Sequence, residues 1–164
     1  VVLLLESVVL VNLIKLEDLL EEIITSFEET SSKKIDLLNK NDQNKISIQR
    51  TPEIIYGLRN FIGNAVKFSK SKIEVNLKSD EKMIKIEIND DGPGIPEDII
   101  NKIGEPYIKS KSKELSPNSG LGLGTFLGKT LLERQGANLQ FKRNSKLGGA
   151  LVVISWSPNS FTNV

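Results

Sequence analysis

Asn60, Asn64 and Lys67 stand at helical spacing near the middle of the sequence. Residues one and two turns apart share one stripe of a helix, and here that stripe runs beside an apolar face. An amide oxygen is a hard, neutral ligand suited to Mg²⁺. That cation keeps several waters and takes few protein ligands plus phosphate oxygens. Lys67 adds a point charge for phosphate. A solvated helix face could have the same composition, but asparagine is a middling-to-poor helix former, and two of them one turn apart favour function.

Two further segments could complete a nucleotide site. Asp90-Asp91-Gly92-Pro93-Gly94-Ile95-Pro96 directly follows an apolar strand. An Asp-Gly turn is common, yet two glycines around a proline also permit close backbone approach to a ligand. Gly120-Leu121-Gly122-Leu123-Gly124 then opens a helix. Glycines let backbone amides turn inward, and a helix N-terminus attracts anions. A flexible hinge would be the plain alternative. A dinucleotide fingerprint fails, because Leu127 stands where its third glycine belongs. Gly128-Lys129-Thr130 does not complete a phosphate loop either, since Leu123 occupies the place of its first glycine.

The elements that position these residues can be read from periodicity. Leu16, Leu19, Leu20, Ile23, Ile24 and Phe27 predict an amphipathic helix. Lys34–Leu38 and Lys45–Gln49 are short strand candidates around a polar turn. Thr51-Pro52 opens a second helix with a hydroxyl cap and proline at its first position, running to Phe68. Ile73, Val75 and Leu77 alternate with polar residues, as do Ile84, Ile86 and Ile88, with a hairpin turn at Lys78–Lys82. A short helix is expected from Pro96. Residues 104–119 lack periodicity and are rich in Ser, Lys and Pro, as expected of a functional lid. A helix over Leu121–Arg134 and strands over Asn138–Arg143 and Ala150–Trp156 close the chain. This order predicts a two-layer α/β (α+β) sandwich with a mixed, largely antiparallel sheet.

Composition narrows the function. The 164 residues suit one domain, expected over 15–157, after an apolar lead-in or stub over 1–14 and before a tail over 158–164. The lead-in is shorter than the roughly 20 residues of a membrane span and lacks the features of a signal peptide. Net charge is +1, from 22 basic and 21 acidic residues, which gives no argument for a nucleic-acid partner. There is no cysteine and no histidine. Thiol chemistry, His-ligated metals and self-phosphorylation on histidine are therefore excluded for this chain.

In order and spacing the three segments resemble the N, G1 and G2 boxes of the GHKL (Bergerat) ATP-binding fold, most closely histidine-kinase catalytic domains. Within that group the sequence is similar to RegB/PrrB-type redox sensor kinases, on Pro52–Leu58, Gly104–Tyr107 and Gly120–Ala137. The resemblance implies transfer of the γ-phosphoryl of Mg-ATP to a histidine on a separate dimerisation domain. A response regulator would follow. It implies a cytoplasmic domain, alone or as part of a membrane sensor kinase, with no direct membrane or nucleic-acid contact.

The resemblance also implies roles for individual residues. Asn64 is the metal ligand, and Asn60, Lys67 and Lys111 join it as catalytic candidates, with Lys109 and Lys113 as rivals for the lid contact. Asp91 matches the carboxylate that accepts a hydrogen bond from the adenine amino group. Phe68, Gly92, Gly94, Ile95, Tyr107, Gly120, Leu121, Gly122, Leu123, Gly124 and Thr125 complete the nucleotide set. The phosphoacceptor helix pair of the family is missing, so the chain reads as an isolated catalytic module or a fragment. GHKL hydrolases and anti-sigma-type serine kinases are the alternatives, but both carry a water-activating glutamate where Asn60 stands. A nucleotide-binding remnant without transfer activity is a further one.

Overall fold

A computed structural model describes residues 12–39, 46–105, 123–143 and 146–157. In chain order the elements are β1 (Leu13–Lys15), α1 (Leu16–Glu28), β2 (Lys34–Asn39), β3 (Ser47–Gln49), α2 (Pro52–Phe68), β4 (Lys72–Ser79) and β5 (Ile84–Asp90). They continue with α3 (Leu123–Arg134), β6 (Asn138–Lys142) and β7 (Leu151–Trp156). Five strands form one sheet in the order β2-β4-β5-β7-β6, and β1 and β3 form a separate antiparallel pair. Within the large sheet β2 and β4 are parallel, and the other neighbours are antiparallel. The mixed, largely antiparallel sheet and its helical layer agree with the pattern of the sequence.

The helical layer forms because each helix has one apolar face. On α2, Ile54, Leu58, Phe61, Ile62 and Ala65 are all buried. On α1 the same holds for Leu16, Leu19, Leu20, Ile23 and Ile24. These faces meet Ile73, Val75 and Leu77 of β4 and Ile84, Ile86 and Ile88 of β5 in one core. Each fully buried aliphatic side chain contributes about 1.5–3 kcal/mol of transfer free energy. The start of α2 is fixed by Thr51, whose hydroxyl accepts the Ile54 N–H at 3.3 Å. Such caps stabilise by about 1 kcal/mol.

The strands on either side of residues 40–45 take different partners: β2 joins β4 at one sheet edge, whereas β3 pairs with β1. The last residues of the apolar lead-in are thus stitched to the domain through Leu13 opposite Gln49 and Ile14 opposite Ile48. The helix expected from Pro96 is a single 3₁₀ turn at Ile100–Lys102. The third helix begins at Leu123, against the expected Leu121, and residues 106–119 of the expected lid lie outside the described residues, as do 120–122. No described helix is long and apolar enough to cross a membrane.

Candidate nucleotide site

A cleft opens between the C-terminal half of α2 and the sheet. Its walls come from Phe61, Asn64, Ala65 and Phe68 of α2, Ile88 and Asp90 of β5, Phe141 and Val152 of β6 and β7, and Thr125 of α3. Gly94, Ile95 and Ile103 line the side towards the 3₁₀ turn. The space between these walls, open mouth and solvent included, is about 540 Å³. The lining is apolar except for Asp90, Asn64 and Thr125. Such a surface suits a flat heteroaromatic ring with a few polar contacts.

Asp90 is the carboxylate in this cleft. Strand alternation places it there: Ile84, Ile86 and Ile88 point inward, and residue 90 continues their phase. Its Oδ1 accepts the Gly92 N–H at 2.8 Å and the Ala150 N–H at 3.1 Å. The residue is only 5% exposed. Burial pushes its carboxyl above the usual carboxylate range, against the Gly92 and Ala150 amides, with Asp91 adding to the rise and Lys33 opposing it. A raised carboxyl in a cleft is a functional-site signal with a stated cause.

Asp91, expected to be the ligand-facing carboxylate, points out of the cleft. Its Oδ1 accepts the Lys70 N–H at 2.8 Å and the Ser71 N–H at 3.1 Å, and Oδ2 takes the Ser71 hydroxyl. Burial pushes its carboxyl up, but the Ser71, Lys72 and Lys70 amides and the Ser71 hydroxyl outweigh this and hold it at about 2. Asp91 therefore ties the α2–β4 turn to the end of β5. Strand phase puts position 90 on the cleft face with Ile86 and Ile88, and position 91 follows just past the strand end.

The first and third segments meet through one hydrogen bond. The Asn64 Nδ2 donates to Thr125 Oγ1 at 3.1 Å, leaving the amide oxygen, the hard ligand, on the other arm of the side chain. Thr125 is 2% exposed, in the first turn of α3. Phe68, Gly94 and Ile95, named among the candidate nucleotide contacts, line the cleft. Gly92 is packed so closely that a Cβ would overlap the Phe68 carbonyl.

Other expected residues stand elsewhere. Asn60 lies in the seam between α2 and α3 and not in the cleft wall. Cβ atoms at Gly124 and Gly128 would come within 3.1 Å and 3.0 Å of its side chain. Among the described residues its buried Oδ1 has no hydrogen-bond partner. Lys67 is exposed, with Nζ 5.7 Å from the centre of the Phe68 ring. Tyr107, Lys111, Gly120, Leu121 and Gly122 lie outside the described residues, as does the side chain of Leu123.

Gly149, outside the three segments singled out in the sequence, packs against the Asp90–Gly92 turn. Its N–H donates to the Asp90 carbonyl at 2.9 Å, and a Cβ there would overlap the Asp90 carboxylate and the Gly92 nitrogen. Nothing local in the sequence announces this contact, because it joins residues about 60 positions apart.

Residues 50–160 match the model of the histidine kinase-, DNA gyrase B- and HSP90-like ATPases. The chain belongs to that family. Among curated proteins it is 44% identical over 105 residues to the sensor histidine kinase RegB of Cereibacter sphaeroides, covering 61% of this chain and 23% of that one. It is 32% identical over 101 residues to the sensor histidine kinase CpxA of Escherichia coli, covering 62% and 22%. The chain thus spans less than a quarter of the length of these relatives. Among solved structures, the catalytic domain of the histidine kinase ThkA superposes with a TM-score of 0.73 at 22% identity, over 90% of this chain and 97% of that one. This GHKL ATPase-family fold is therefore that of histidine-kinase catalytic domains. The match begins at Arg50, so β1, α1, β2 and β3 precede the family segment that carries the cleft.

Proposed function

We propose that this domain binds Mg-ATP in the cleft and delivers its γ-phosphoryl to a histidine on a dimerisation domain, as the catalytic part of a sensor histidine kinase. The observation that carries the reading is the buried Asp90 carboxylate in an otherwise apolar cleft, with the Asn64 amide on the same wall. A carboxylate fixed through one oxygen by two backbone N–H groups is a preorganised acceptor for an exocyclic amino group. Adenine offers that donor, whereas a base with a carbonyl in its place would meet repulsion. The ring would lie among Ile88, Ile95, Phe141 and Val152.

The residues present fit a magnesium nucleotide. Asn64, oriented by Thr125, supplies a neutral oxygen ligand that leaves the remaining positions of the cation to water and phosphate. Magnesium bound there would neutralise phosphate charge. The N–H groups at the start of α3 suit the triphosphate anion, and Lys67 adds a positive charge near the mouth. Gly120, Gly122, Tyr107 and Lys111 retain the roles that the sequence implies.

Phosphoryl transfer depends mainly on positioning and charge neutralisation. An acceptor imidazole with a pKa of about 6.5 is largely neutral at pH 7 and already nucleophilic. No strong general base is required of this domain. Asn60, an amide in a helix seam, supports transfer over hydrolysis, since it could not deprotonate water. The similarity to RegB supports placing the domain in the cytoplasmic part of a sensor kinase, upstream of a response regulator. Calorimetry with ATP and Mg²⁺ tests the first step: the wild-type chain should bind ATP with a Mg²⁺-dependent heat that Asp90→Ala removes. No heat at millimolar nucleotide would contradict the reading.

A further inference from the structure

One ammonium holds the C-terminal end of α2 from outside the cleft. Lys33 precedes β2, and its Nζ donates to the Val66 carbonyl at 2.5 Å and to the Ser69 carbonyl at 2.6 Å. The last carbonyls of a helix lack intrahelical donors. Here the Lys70 N–H, which would reach Val66 if the helix continued, goes to Asp91 instead. A cation at this end also complements the helix dipole. The turn after α2 is therefore gripped on one side by Lys33 and on the other by Asp91.

That turn carries two parts of the cleft. The Phe68 ring lines it, and the Phe68 carbonyl lies against Gly92, whose N–H holds the Asp90 carboxylate. The positive charge of Lys33 also favours the ionised form of Asp90, against the burial that disfavours it. Lys33 does not line the cleft, so any influence on a bound nucleotide passes through Phe68 and Asp90.

We propose that Lys33 is a positioning residue for nucleotide binding: it seats the end of α2 so that Phe68 and the Asp90–Gly92 turn present a fixed surface to the base. This rests on the reading of the cleft as an ATP site. Lysine suits the task because an ammonium carries three donors on a flexible stem and can serve two carbonyls at once. It extends the nucleotide site to a residue outside the segment that matches the ATPase family.

The test is calorimetry with Mg-ATP and Mg-ITP on the wild-type chain and on Lys33→Met, Lys33→Gln and Lys33→Arg, with urea unfolding of each. ITP carries a carbonyl where ATP carries the amino group, so the ratio of the two affinities reads the Asp90 contact. Lys33→Met should weaken ATP about tenfold and narrow the ATP:ITP ratio, whereas Lys33→Arg should stay within about threefold of wild type. Lys33→Gln, which keeps a donor, should fall between, and it is the variant to read if Lys33→Met does not fold. A lower urea midpoint with unchanged ATP affinity and an unchanged ATP:ITP ratio in the folded variants would reduce Lys33 to a structural clamp and overturn the proposal. Absence of ATP binding by the wild-type chain would instead remove the nucleotide reading itself.

Discussion

Asn64 on α2 donates to Thr125 on α3 at 3.1 Å, across 61 positions of sequence. The bond joins the candidate metal ligand to the first turn of α3, whose N-terminal N–H groups are proposed to receive the triphosphate. Thr125→Val keeps the side-chain volume and removes the acceptor. A lost neutral hydrogen bond costs ~1 kcal/mol, so urea unfolding should show a shift of that size. The Mg²⁺ concentration needed for half-maximal ATP binding should rise, because the Asn64 amide is no longer oriented. An unchanged Mg²⁺ requirement would separate the bond from metal binding.

Asp90 opposes stability to function. Its folded-state pKa is raised by burial, so its contribution to stability is fully present below the ordinary carboxylate pKa and is lost as pH rises through the folded value. At neutral pH the buried charge is a net cost. Asp90→Asn keeps an oxygen for the Gly92 and Ala150 amides and should hold or raise the melting temperature at pH 7, while weakening ATP at least tenfold. Differential scanning calorimetry paired with titration calorimetry checks both halves. A variant that melts lower and binds normally would contradict the assignment.

Asp91 has the opposite sign. Its folded-state pKa is depressed to about 2, so the stability it supplies is present above the ordinary value of 3.8 and is lost as pH falls towards 2. Asp91→Asn should flatten the acid side of the stability curve below about pH 4 and leave ATP affinity within about threefold. Thermal melts at a series of pH values would show this, and a large loss of ATP affinity would return Asp91 to the binding set.

Much of this arrangement was legible because local signals agree with the final fold. Thr51-Pro52 marks the start of α2, and the β4–β5 hairpin follows from alternation on both strands. The partners of β2 and β3 were not legible. Both strands are short, and their pairing is decided by β4 and β1, far away in sequence, where a short apolar run carries no address. The cleft-facing carboxylate is different in kind, since strand phase points to Asp90 and the motif alone does not. Asn60 reads as a site residue from its stripe, yet α3 covers it, and packing between two helices has no signature in one of them.

Gly149 gives a steric test of the same carboxylate. A Cβ at this position would overlap the Asp90 Oδ1, the Asp90 carbonyl and the Gly92 nitrogen, all fixed by backbone hydrogen bonds. Gly149→Ala should displace the Asp90 turn. We expect destabilisation of about 1–3 kcal/mol, the usual scale of core overpacking, together with weakened ATP binding. Gly148→Ala next to it, where φ is positive but no atom of the described residues lies within 4 Å of the new Cβ, should destabilise the turn and leave nucleotide affinity intact. Equal effects on affinity from the two variants would show that Asp90 placement does not govern binding.

The most direct test of the account is phosphoryl transfer from radiolabelled ATP to a histidine-bearing dimerisation domain of a RegB-like kinase supplied in trans. This chain has no histidine, and alone it should acquire no stable label and hydrolyse ATP slowly. With the partner and Mg²⁺ present, label should appear on the partner's histidine. Asn64→Ala should abolish that label, and Asn60→Ala should lower it less. Rapid release of phosphate by the chain alone, with no label on the partner, would contradict the kinase reading and make the domain an ATP hydrolase.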